Sequence, residues 1–134
     1  MDDAAIEQAL RAFFGSQAPE VIAAYLFGSV ARGTSGTTSD VDVAILLARP
    51  PVVGLAGLPL DLEGDLERLL GMPAQVVILN RAPADLVHRV LRDGKLLVDR
   101  NPSVRIAFEV RARNEFFDLK PVLDQYRAAR GPSR

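Results

Sequence analysis

The constraint that most limits this chain is the juxtaposition of two apolar runs around a short polar connection. Val21 to Phe27 empties into Gly28-Ser29-Val30-Ala31-Arg32-Gly33, and Ser39-Asp40-Val41-Asp42 leads straight into Val43 to Leu47. Apolar runs of this length bounded by Gly, Ser and Thr read as buried strands joined by a turn. Side chains alternate faces along a strand, so Asp40 and Asp42 are expected on one side with Val41 and Val43 on the other. That spacing sets the two carboxylates roughly 6.5 Å apart along the backbone, within reach of shared metal ions. Gly28 lets backbone approach a ligand, and a helix starting near Ser29 would direct free N–H groups at an anion. The pattern predicts a phosphate seat facing two carboxylates, which suits metal-dependent phosphoryl or nucleotidyl transfer.

The rest of the chain reads as alternating helices and strands. Asp2 or Asp3 caps a first helix with Ile6, Leu10, Phe13 and Phe14 on one stripe, closed by Ser16 to Pro19. Gly33 to Thr38 is a small polar loop, and Val52 to Leu60 has no clear period and reads as loop. Leu62, Leu66, Leu69 and Leu70 mark a helix ending at Gly71. Gln75 to Leu79 reads as a third strand. A helix opens at Pro83 and buries Leu86, Val87, Val90 and Leu91; its other face carries Asp85, His88 and Arg92, which makes His88 a surface residue. Lys95 to Val98 is a short strand, and Asn101-Pro102 starts a final helical segment over about 101–130 that Pro121 should kink or divide. Phe116 and Phe117 are adjacent, so one of the C-terminal aromatics is expected to face outward as a partner surface. Alternating strands and helices predict an α/β (α+β) sandwich with a small mixed β-sheet packed with helices, in one domain spanning 1–134.

Composition excludes several classes. The 134 residues contain no cysteine, so disulfides, thiolate metal sites and cysteine nucleophiles are absent. The formal net charge is −1, which calls for no polyanion partner. No apolar run approaches a membrane span, and Met1-Asp2-Asp3 lacks the basic start of a secretory signal, so a cytoplasmic protein is expected.

Gly28-Ser29, ten intervening residues, then Asp40-x-Asp42 resembles the polymerase-β-type nucleotidyltransferases in their minimal (MNT) form, and Ala31-Arg32-Gly33 and Ser39-Asp40 extend the match. The likeness continues through Gly71 to Pro83, Val90 to Leu97 and Arg105 to Arg127, where the chain is similar to MNT antitoxins of toxin–antitoxin systems. That resemblance implies a polymerase-β-type core with the site on the first two strands, and a HEPN-domain RNase toxin as partner. It also implies transfer of AMP from ATP to a toxin tyrosine, without membrane or direct nucleic-acid binding. Asp40 and Asp42 would be the catalytic carboxylates and the Mg²⁺ ligands of a two-metal site. Gly28, Ser29, Arg32 and Ser39 would hold the phosphates. The family's third carboxylate falls where Gln75 stands. An amide can lend a carbonyl oxygen but cannot take the hydroxyl proton, and loss of a general base costs on the order of 10²–10⁴ in rate. Three readings follow: a weakened transferase, substitution by another acid such as Glu63, Asp65 or one from the toxin, or an inactive antitoxin that acts by binding alone.

Overall fold

The structure, a computed structural model, describes residues 2–34, 40–49 and 58–129. Four strands, β1 (Val21–Phe27), β2 (Val41–Leu47), β3 (Ala74–Ile78) and β4 (Lys95–Asp99), form one sheet in the order β3-β2-β1-β4. β1 is antiparallel to β2 and β4, and β2 is parallel to β3, so the sheet is mixed as expected. The helices are α1 (Asp3–Ser16), α2 (Gly28–Arg32), α3 (Leu58–Leu70), α4 (Ala84–Asp93) and α5 (Pro102–Ala129), with a 3₁₀ turn at Leu79–Arg81.

Alternation along the strands divides the core into two layers. Val41, Val43, Ile45 and Leu47 face Ile6, Leu10 and Phe14 of α1 and Leu62, Leu66 and Leu70 of α3. Ala44 and Leu46, with Tyr25 of β1, face Val87 and Val90 of α4 and Ala112 of α5. Asp42 shares the parity of Ala44 and Leu46 and therefore belongs to the α4/α5 face. β2, buried on both faces, is the central constraint on the site.

Local signals open the first and last helices where expected. The Asp2 carboxylate accepts the Ala5 N–H at 2.8 Å, and the Asn101 side chain accepts the Val104 N–H at 3.2 Å. Three expectations change. α3 begins at Leu58, inside the stretch expected to be loop, while residues 50–57 lie outside the described ones. The third strand stops at Ile78, and Leu79 turns inward at 1% exposure in the 3₁₀ turn. Pro121 does not divide α5, which runs unbroken for 28 residues. Proline there removes one backbone donor, and the surrounding i→i−4 bonds carry the helix past it.

Two devices without a local signal complete the sheet. β3 is an edge strand, and α3 covers its outward donors: Glu63 accepts the Val76 N–H at 2.8 Å and Glu67 accepts the Ala74 N–H at 3.2 Å. The Arg100 guanidinium, just after β4, donates to the carbonyls of Ala18 and Val21 (2.6 Å each), Gln17 (2.8 Å) and Phe14. It thereby satisfies carbonyls at the end of α1 and holds the Ala18-Pro19 turn, where Ala18 adopts φ +54°.

Candidate active site

β1 delivers the chain to the site. After Phe27, which pairs with Asp42, the backbone enters the left-handed region at Gly28 (φ +78°) and continues as α2. This turn passes directly over the Asp42 carboxylate: a Cβ at Gly28 would stand 3.2 Å from its Cγ and overlap Oδ2. Only glycine supplies both the conformation and the clearance. Ser29 opens α2, Val30 and Ala31 anchor it in the core, and Arg32 closes it.

Phe27, Gly28, Ser29, Arg32 and Asp42 line one cleft of about 330 Å³, together with Arg89 and Asp93 of α4. The structure thus brings Gly28, Ser29, Arg32 and Asp42 together. Asp40 immediately precedes β2, half-buried, and its charge acts on Asp42. Burial raises the Asp42 carboxyl above the usual carboxylate range, the neighbouring Asp40 charge raises it further, and Arg32 opposes both. Gln75 pairs with Asp42 across the parallel β2–β3 ladder, so both side chains leave the same face; Gln75 is exposed. Ser39 lies outside the described residues.

Neither acid considered as a replacement reaches the cleft. Glu63 is engaged with the β3 backbone, and Asp65 pairs with Arg68 on the outer surface of α3. α3 packs on the sheet face opposite Asp42, and neither side chain lines the cleft. Arg89 and Asp93 carry no signal of a site in the sequence. They stand at i and i+4 on a predicted helix, a pattern shared by most solvated helix faces, and only the docking of α4 sets them beside the Gly28 turn. The Asp93 carboxyl is held low, chiefly by its hydrogen bonds from Arg92 and also by the charge of Arg32. His88 is likewise not a simple surface residue. Its ring stacks on Phe116 of α5 at 3.8 Å and 5°, because α5 lies along the polar side of α4.

The chemistry of these donors suits a hard divalent cation. Asp40 and Asp42 carry two like charges, and a bound cation would relieve the penalty that burial and Asp40 place on Asp42. Among the described residues no group of three or more acidic, histidine or cysteine side chains gathers as a metal site, and Asp93 is the other carboxylate lining the cleft with Asp42.

Comparison with known proteins finds the same fold in solved structures. The fold is similar to a chain of a toxin–antitoxin crystal structure with AMP-PNP, at 24% identity and TM-score 0.69, covering 90% of this chain and 97% of that one. It is also similar to a chain of the tri-AMPylated Shewanella oneidensis HEPN toxin in complex with MNT antitoxin, at 20% identity and TM-score 0.66, covering 92% and 98%. A chain of the MntA-HepT toxin–antitoxin structure matches at 20% identity and TM-score 0.65, covering 92% and 97%. The sequence has no significant match among proteins of curated function. Residues 8–103, from α1 through β4, match the family model described as polymerase beta, nucleotidyltransferase. With the Gly-Ser turn of β1 set against the carboxylate of β2 on a mixed sheet, the chain belongs to the polymerase beta nucleotidyltransferase family.

Proposed function

We propose that this chain is the antitoxin of a HEPN toxin–antitoxin pair and neutralises the toxin by transferring AMP from ATP to one of its tyrosines. The observation that carries the reading is the close seat of the Gly28 turn over Asp42, in a cleft that Arg32 enters from α2. Solved toxin–antitoxin chains of the same fold support it, one with AMP-PNP and one beside a tri-AMPylated HEPN toxin.

In the proposed reaction a bond forms between the tyrosine oxygen and the α-phosphorus, and the bond from that phosphorus to the bridging oxygen breaks, releasing pyrophosphate. The phenol proton leaves to solvent or to a base. Gly28 and Ser29 present backbone N–H groups and a hydroxyl to the phosphates, and Ser39 would complete that seat. The Arg32 guanidinium offsets phosphate charge. Asp40 and Asp42 would hold Mg²⁺, which would supply charge stabilisation of the entering and leaving oxygens. Gln75 reaches toward the same face as Asp42 and offers a carbonyl oxygen but no base. A phenol with pKa about 10 needs less help to ionise than an alcohol, so transfer proceeds with two carboxylates, at reduced rate.

Gln75 is the specific observation favouring a second reading, neutralisation by binding alone. Mass spectrometry of the toxin after incubation with ATP, Mg²⁺ and this protein decides between them. Transfer predicts addition of AMP that is lost with Asp40→Asn. No added AMP from the wild-type chain, with Asp40→Asn still protecting cells from the toxin, establishes binding alone.

A further inference from the structure

α5 begins at the limit of the family match, and most of it lies beyond residue 103. Its first half is held by the body. Tyr25 donates to Glu109 at 2.7 Å, Arg105 bridges Asp99 (2.8 Å) and Glu109 (3.0 Å), and Ala112 is buried against α4. Beyond Phe116, which stacks on His88, several described apolar side chains are exposed. The stripe that packs inward at Phe108, Ala112 and Phe116 continues at helical spacing through Leu119, Val122 and Tyr126, yet these are 45%, 61% and 60% exposed. An apolar stripe continuing past the body of a folded domain is an interaction surface.

Beside this stripe, α4 and α5 enclose a groove of about 530 Å³. Its floor is aromatic: His88 stacks on Phe116, and Phe117, 60% exposed, stands edge-on to both. Its walls are cationic, with Arg89, Arg92, Lys120 and Arg127 against the single carboxylate of Asp85. Lys120 and Arg127 pair with Asp124 and Arg92 with Asp93, on exposed surface where such pairs contribute little. Arg89 has no carboxylate partner among the described residues and also lines the cleft holding Gly28 and Asp42. The groove and the candidate active site therefore share a wall.

We propose that this α4–α5 groove is the docking site for an acidic segment of the acceptor protein, which the Arg89 wall leads into the cleft. The inference rests on the acceptor being a protein, as in the function proposed above. Charge complementarity selects an acidic occupant. The adjoining aliphatic stripe selects a protein over a nucleic acid, since Leu119 and Val122 offer neither a stacking face nor a phosphate contact, whereas apolar anchors ringed by arginine are typical of protein interfaces.

Charge reversal tests the proposal. Lys120→Glu with Arg127→Glu changes two exposed side chains, so folding is expected to hold; Phe117→Ala, also exposed, removes an aromatic anchor without altering charge. Each full-length variant is titrated with the purified cognate HEPN toxin, with ATP, and with a single-stranded oligoribonucleotide. Charge reversal should weaken toxin binding by about tenfold or more and flatten its salt dependence, leaving ATP affinity unchanged. AMP transfer should show a raised KM for toxin with kcat retained. Toxin affinity unchanged in both variants overturns the proposal. So does oligoribonucleotide binding that charge reversal abolishes while toxin affinity stays the same. A wild-type chain that binds toxin but transfers no AMP refutes the transferase reading, while the toxin titration still decides the groove.

Discussion

Replacement of Gly28 by alanine measures how tightly the Gly28-Ser29 turn is built against the Asp42 carboxylate. Two penalties separate. Alanine in the left-handed region costs about 1 kcal/mol. The added methyl must also displace the Asp42 side chain, since its position lies 3.2 Å from Cγ and 3.4 Å from Cβ and overlaps Oδ2. Overpacking of this kind costs about 1–3 kcal/mol. The combined loss is about 2–4 kcal/mol, a fall in Tm on the order of 10 °C for a domain of this size. Gly33 is the internal control: it has φ +71°, and a methyl added there would meet nothing within 4 Å, so Gly33→Ala carries the backbone cost alone. Thermal and urea denaturation of both variants, repeated in an Asp42→Ala background, resolve the two penalties. Removing the carboxylate should shrink the Gly28→Ala penalty to that of Gly33→Ala, a coupling of about 1–3 kcal/mol. Equal penalties at Gly28 and Gly33 with Asp42 intact, or a Gly28 penalty indifferent to Asp42, would refute the close-approach geometry.

Three further outcomes are expected. Arg100→Ala leaves the carbonyls of Phe14, Gln17, Ala18 and Val21 without their shared donor and should cost about 2–3 kcal/mol in urea unfolding, with hydrogen exchange accelerating first at the end of α1; exchange unchanged there would contradict the clamp. Burial and the hydrogen bond to Glu109 raise the Tyr25 phenol above its usual range, so the folded chain keeps a proton that the unfolded chain releases above about pH 10. That contribution is intact below this pH and is lost as pH rises through the window; Tyr25→Phe should show a shallower decline there, and identical slopes would oppose it. Gln75→Asp should speed AMP transfer, because it places a carboxylate in register with Asp42, and an unchanged or lower rate would remove Gln75 from the base position.

Much of the site was legible because its signals are local. Val21–Phe27, Gly28-Ser29 and Asp40 to Leu47 are contiguous, and strand alternation alone puts Asp42 on the face opposite Val41 and Val43. The caps at Asp2 and Asn101 depend on residues three positions apart, so they too were readable. Glu63 and Asp65 misled because periodicity assigns a helix a stripe without saying which sheet face receives it. Packing of Leu62, Leu66 and Leu70 against the α1 side settled that.

The sequence by itself determined the order of elements, the glycine turn and the alternation of the aspartates, since each depends on sterics and periodicity among near neighbours. Only the tertiary structure decided what surrounds them. Arg100 reaches the Val21 carbonyl 79 residues away, α4 brings Arg89 and Asp93 to the Gly28 turn, and α5 lays Phe116 on His88 while Leu119 and Val122 stay exposed. The physical reason is that these contacts follow from buried area summed over both faces of the sheet, a quantity that no stretch of neighbouring residues carries.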